Sequence, residues 1–337
     1  MKAESIQPAR LRRACALLSL SLCLVACAAP AAAAQGGWIA ERGGEAGKDL
    51  NAVYFVGDKR GWIGGDGGQV WRTEDGGRTW ARQQTGVEES VNDIYFRDKE
   101  DGYLLAGNKI LLTEDGGATW RAAHTFASAE FGGASPELYS VRFASKKRGW
   151  VVGSVSRGDN VVDSLLLYTD DGGSSWLRRT TPVSVELLHL DFDGEKRGWI
   201  VGDRGTILHT DDGGTTWARQ TSDTTATLYH VDFIDDENGW AVGERSTILR
   251  TNDGGRTWAR VQSAAVGANA TLLSVAFVDR DEGWLIDRRG AILRSSDGGR
   301  TWIKQEVGAK QRLFALFFNK KGGWAVGGDG TLLRYER

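Results

Sequence analysis

Cysteine is nearly absent: three occur in 337 residues, and all of them (Cys15, Cys23 and Cys27) stand before residue 28. The rest of the chain therefore has no disulfide framework and no thiolate metal site. Proline is almost as scarce, with only Pro136 and Pro182 beyond residue 34. No later apolar run approaches the ~20 residues a membrane-spanning helix requires. An excess of positive charge is missing too: 42 Lys and Arg face 44 Asp and Glu, a net of −2. That balance argues against a nucleic-acid-binding protein, which carries a basic domain or stripe.

The first 34 residues have the form of a leader. Lys2, Arg10, Arg12 and Arg13 make a basic start, followed by the apolar run Ala14–Ala26 and small residues up to Ala34. This is a secretory signal peptide, which predicts an exported, periplasmic or lumenal protein. Leu24-Val25-Ala26-Cys27 resembles a bacterial lipobox, which would make Cys27 the lipid-bearing first residue and give the protein a membrane anchor. Cleavage after Ala32-Ala33-Ala34 is the alternative. Residues 35–337 are then the folded part.

That part is dominated by one motif. It recurs at Thr73–Trp80, Thr113–Trp120, Thr169–Trp176, Thr210–Trp217, Thr251–Trp258 and Ser295–Trp302. Most copies lie about 41 residues apart, and a period in that range means stacked units that cannot bury their apolar faces alone. Asp-Gly between two apolar runs is a hairpin signal. The carboxylate can accept hydrogen bonds from turn amides, while the glycines supply positive φ. Asp75, Asp115, Asp171, Asp212, Asp253 and Asp297 are thus structural, since six copies of one turn position serve packing rather than catalysis. The motif resembles the Asp-box of neuraminidase-type repeats.

Residues 228–258 show the surrounding unit. Leu228–Phe233, Gly239–Gly243, Thr247–Thr251 and Thr257–Val261 read as four strands of a meander. A Gly-aromatic pair marks the second strand at Trp62, Tyr103, Trp150, Trp199, Trp240, Trp284 and Trp324, so there are seven units. The last, Leu313–Tyr335, lacks a box and a fourth strand. Gly37-Trp38-Ile39-Ala40 has the form of that strand, and supplying it would close a ring and remove two sheet edges. The expected fold is all-β: a seven-bladed β-propeller of four-stranded blades, closed in the last blade by the N-terminal strand. The repeat overrules a division into two domains on length.

Sites of chemistry are few. A sialidase-like centre would need an Arg-Ile-Pro segment, which is absent, and nothing singles out a pair of glycosidase carboxylates. His189-x-Asp191 and His230-x-Asp232 occupy equivalent places in consecutive first strands, where adjacent side chains could converge on a central channel. The matching positions elsewhere are too varied for a metal site, so these read as polar packing. No cofactor is expected.

Surface features point instead to a partner. Arg82, Arg178, Arg219, Arg260 and Lys304 each follow a box Trp by two residues, which protects exposed edges or forms a basic belt. Two segments, His124–Glu137 and Ser154–Ser164, lengthen connections of the third blade on the face opposite the boxes, where insertions often bind. Phe126 and Phe131 in the first are candidate exposed anchors. Arg157 and the hairpin arginines Arg204, Arg245, Arg288 and Arg289 could steer an acidic surface toward them.

The whole repeat, Val-x-Phe…Gly-Trp-x-Val-Gly-x-x-Gly-x-Ile-Leu-x-Thr-x-Asp-Gly-Gly-x-Thr-Trp, resembles the photosystem II assembly and stability factor family. The likeness covers residues 38–337 and is closest over Gly198–Trp217. It implies an exported seven-bladed propeller that acts without catalysis. Such a protein would hold membrane-protein subunits during assembly through a basic surface patch. The protein is expected to be monomeric. The reading from a different class is a cell-surface carbohydrate-binding or sialidase-like glycosidase propeller.

Overall fold

Seven four-stranded antiparallel sheets follow one another along the chain. The computed structural model describes residues 36–307 and 311–337. The predicted signal peptide, lipobox and Cys27 lie outside the described residues. Blades 1 to 6 span residues 50–83, 91–125, 135–178, 187–220, 228–260 and 272–305. Blade 7 joins residues 313–336 to the strand Gly37–Arg42. That strand runs antiparallel to Thr331–Glu336, with Trp38 opposite Tyr335. Neighbouring first strands touch around a closed ring, including those of blades 7 and 1. The seven-bladed propeller and its closure by the N-terminal strand are as expected.

Three strands of blade 5 coincide with those read from the sequence, but the fourth is shorter, Ala259–Arg260. Trp258 therefore sits between turn and strand, free to turn inward. It meets Phe233 of its own blade edge-on, at 5.8 Å and 88°. Phe233 in turn stacks on Trp199 of the preceding blade at 3.4 Å. The same step recurs in Trp302–Phe277–Trp240 and Trp120–Phe96–Trp62. These aromatic ladders, built from a box Trp, a first-strand Phe and the previous blade's second-strand Trp, glue the sheets together. In blade 7, Trp38 fills the box Trp's place, edge-on to Phe318 at 5.6 Å and 84°.

The ladder also explains the glycine of each Gly-aromatic pair. The Phe ring lies flat on that glycine, and a Cβ at Gly239 would stand 2.4 Å from Phe233. Trp62, Trp199 and Trp240 each donate their indole N–H to a glycine carbonyl in the next blade's box, at 3.0–3.1 Å. The box is thus both a turn and a socket for its neighbour.

Candidate functional site

Each Asp-box carboxylate is consumed by its own turn. In blade 1, Asp75 Oδ1 accepts from the Thr73 hydroxyl at 2.8 Å and the Thr79 amide at 2.9 Å. Asp75 Oδ2 accepts from the Thr79 hydroxyl at 2.6 Å. Asp115, Asp171, Asp212, Asp253 and Asp297 repeat the pattern. The Thr79 hydroxyl, aided by amides, holds Asp75 down at about 2. Burial pushes Asp212 the other way, but the bonds from Thr216 prevail and leave it lowered.

The central channel is a second polar region. Every first strand has a register irregularity at one equivalent place, as between Leu228 and His230. Such a bulge re-aims the side chains that follow it. The result is a cavity of about 480 Å³ lined by Tyr54, Asp93, Arg142, His189, Asp191, His230 and Asp232, among others. Arg142 bonds Asp93 at 2.7 Å and contacts His189 at 3.0 Å, and the imidazoles of His189 and His230 stack at 3.7 Å. Asp191 accepts the Phe233 amide at 2.8 Å, and Asp232 accepts the Phe277 amide at 2.7 Å. These carboxylates staple blade 4 to blade 5 and blade 5 to blade 6. Burial pushes both of them up and drives His230 down to about 3, a neutral imidazole. Among the described residues, no three His, Cys, Asp or Glu side chains converge as metal ligands.

The blade 3 segments depart from expectation. Ser154–Ser164 is a lengthened hairpin, not a loop: its strands run Gly149–Arg157 and Asn160–Thr169. The segment His124–Glu137 contains a short helical turn, Ser128–Phe131, and then joins that sheet, with Pro136 opposite Val155. Phe126 is not an exposed anchor. It is buried in one core with Tyr103, Leu138 and Val155, and half-buried Phe131 packs against the same core. Arg178 lies over the Phe131 ring at 5.1 Å, and Arg157 donates to the Gly132 carbonyl at 2.9 Å. A segment this long has enough apolar side chains to form its own core, and burial wins over display.

The arginines fare differently. Arg82 pairs with Glu45 at 2.8 Å and Arg178 with Asp163 at 2.7 Å. Arg204, Arg245, Arg288 and Arg289 are exposed on hairpins of the face away from the boxes. The structure brings one of them together with two belt residues. Arg245 joins Arg219 and Arg260 along a cleft of about 770 Å³ between blades 4 and 5, with Thr221–Thr225 as its floor. The sequence signal for it was two repeat positions read separately, two after the box Trp and the tip of the second hairpin.

Fold and site together define a propeller of Asp-box repeats whose box carboxylates hold their own turns and whose channel carboxylates Asp191 and Asp232 tie neighbouring blades. A family model described as photosynthesis system II assembly factor YCF48 matches residues 78–180, 124–224, 220–265 and 259–336. The chain belongs to that family. Among solved structures, YCF48 bound to D1 peptide is 21% identical, with TM-score 0.71, over 89% of this chain and 97% of that one. YCF48 from Cyanidioschyzon merolae is 19% identical, with TM-score 0.68, over 89% and 98%. A xyloglucanase from Xanthomonas campestris is 15% identical, with TM-score 0.64, over 88% of this chain and 53% of that one. At these identities the likeness is one of fold. No curated protein sequence matches significantly.

Proposed function

We propose that this protein is a non-enzymatic scaffold on the periplasmic or lumenal side of a membrane, assisting assembly or stability of a membrane protein complex. The observation that carries the reading is the hairpin face, where Arg204, Arg245, Arg288 and Arg289 stand exposed without a carboxylate partner among the described residues. Guanidiniums without a countercharge on one face steer and register an acidic partner surface. Family membership supports it, and so does the related propeller bound to D1 peptide. A lipid on Cys27 would keep the scaffold beside its client.

The test is affinity capture from solubilised membranes with the wild type and with Arg204, Arg245, Arg288 and Arg289 all changed to Ala. The wild type should retain a defined membrane complex, and the variant should lose it while melting normally. Equal capture by both, or turnover of a glycan by the wild type, would overturn the reading.

A further inference from the structure

The cleft between blades 4 and 5 is built from three directions. Arg219 comes from the outer strand of blade 4, Arg260 from the outer strand of blade 5, and Arg245 from a hairpin tip. Around them stand the hydroxyls of Thr221, Thr224 and Thr225, with Asp223 the one acidic residue of the lining. None of the three guanidiniums has an ion-pair partner among the described residues, whereas Arg82 and Arg178 at equivalent belt positions do. Like charges gathered without a counterion repel one another, so the arrangement favours an anion between them.

The cleft is also held in shape. Ser222 donates to the Gly205 carbonyl at 2.6 Å and fixes the floor. Arg245 donates to the Thr225 hydroxyl at 3.1 Å, and Arg260 donates to the Arg245 carbonyl at 3.2 Å. Each of those two bonds uses a single N–H of its guanidinium, which leaves the rest of each fork to a ligand. Donors from three sides, together with the O–H groups of Thr221, Thr224 and Thr225, exceed what the two oxygens of a planar carboxylate can accept. A tetrahedral phosphate, with three acceptor oxygens, matches them better.

We propose that this cleft binds a terminal phosphate group, a phosphomonoester borne by a lipid headgroup or by a soluble ester. The assignment does not rest on the scaffold reading, because phosphate binding and capture of a membrane complex can fail separately.

The purified protein is titrated calorimetrically with inorganic phosphate, with chloride at matched ionic strength and with acetate. Phosphate should bind, and neither of the others should reproduce it. Changing Arg219→Gln and Arg245→Gln together should weaken phosphate binding about tenfold or more. Arg256→Gln removes the same kind of charge from a box turn on the opposite face and should leave binding intact. Thermal melts confirm that each variant is folded, and single Arg219→Lys and Arg245→Lys variants serve if the double variant is not. Sedimentation with vesicles containing phosphatidic acid, whose headgroup is a phosphomonoester, distinguishes the sources. Arginine-dependent vesicle binding assigns a lipid headgroup, whereas phosphate binding without it assigns a soluble ester. The proposal is overturned if phosphate does no better than chloride. It is equally overturned if folded variants bind phosphate like the wild type, or if acetate binds more tightly through the same arginines.

Discussion

At the scale of single residues, one side-chain type does opposite things in two places. An Asp-box carboxylate is surrounded by donors and held in its charged form, with Asp75 lowered to about 2. A channel carboxylate such as Asp232 is stripped of water and pushed up. A folded-state pKa below the unfolded value contributes stability that is present above the unfolded pKa and lost as pH falls through the folded one. For Asp75 that window runs from the usual 3.8 down to about 2. Melting temperature measured from pH 5 to pH 2 should therefore fall less steeply in Asp75→Asn than in the wild type. Identical slopes would show that the turn does not depend on the charge. Asp232 has the reverse sign, since its burial disfavours ionisation; the cost to stability is full above its raised folded pKa and shrinks steadily as pH falls from there to the ordinary 3.8. Asp232→Asn should accordingly raise the melting temperature more at pH 9 than at pH 5, because Asn still accepts the Phe277 amide.

At the scale of elements, blade 3 is where local pattern and final structure part. Its extra residues were legible as insertions from spacing alone, and their face followed from the meander. Whether Phe126 pointed out or in was not legible, because that depends on Val155 and Leu138, which are brought beside it by pairing of Pro136 with Val155. Its burial implies a stability role. Phe126→Ala should cost about 3–5 kcal/mol, the usual range for a truncated core aromatic, read from chemical denaturation. A loss under 1 kcal/mol would return Phe126 to the surface.

At the scale of the whole molecule, the ring has one seam, and it is closed non-covalently by six residues pairing with the last strand. Trp38 completes the ladder there by meeting both Phe318 and Tyr335. Deleting residues 35–42 removes that ladder rung and exposes a strand edge able to pair with other chains. The deletion protein should melt well below the parent or aggregate, as read by scanning calorimetry and light scattering. Unchanged melting and solubility would mean that the seam contributes little.

The sequence by itself determined the fold class, the blade count, the four-strand unit and the closing strand. Each of these is written in a local pattern repeated until chance is excluded, and stacking identical units leaves one way to bury their faces. Only the tertiary structure decided the rest: which phenylalanines are hidden, which blade's indole enters which box, how Asp191 and Asp232 staple neighbours, and which arginines share a cleft. Arg219, Arg245 and Arg260 illustrate the reason. They lie on three strands or turns whose spacing in sequence says nothing of their approach in space. Their common electrostatic field arises only once blades 4 and 5 stand side by side.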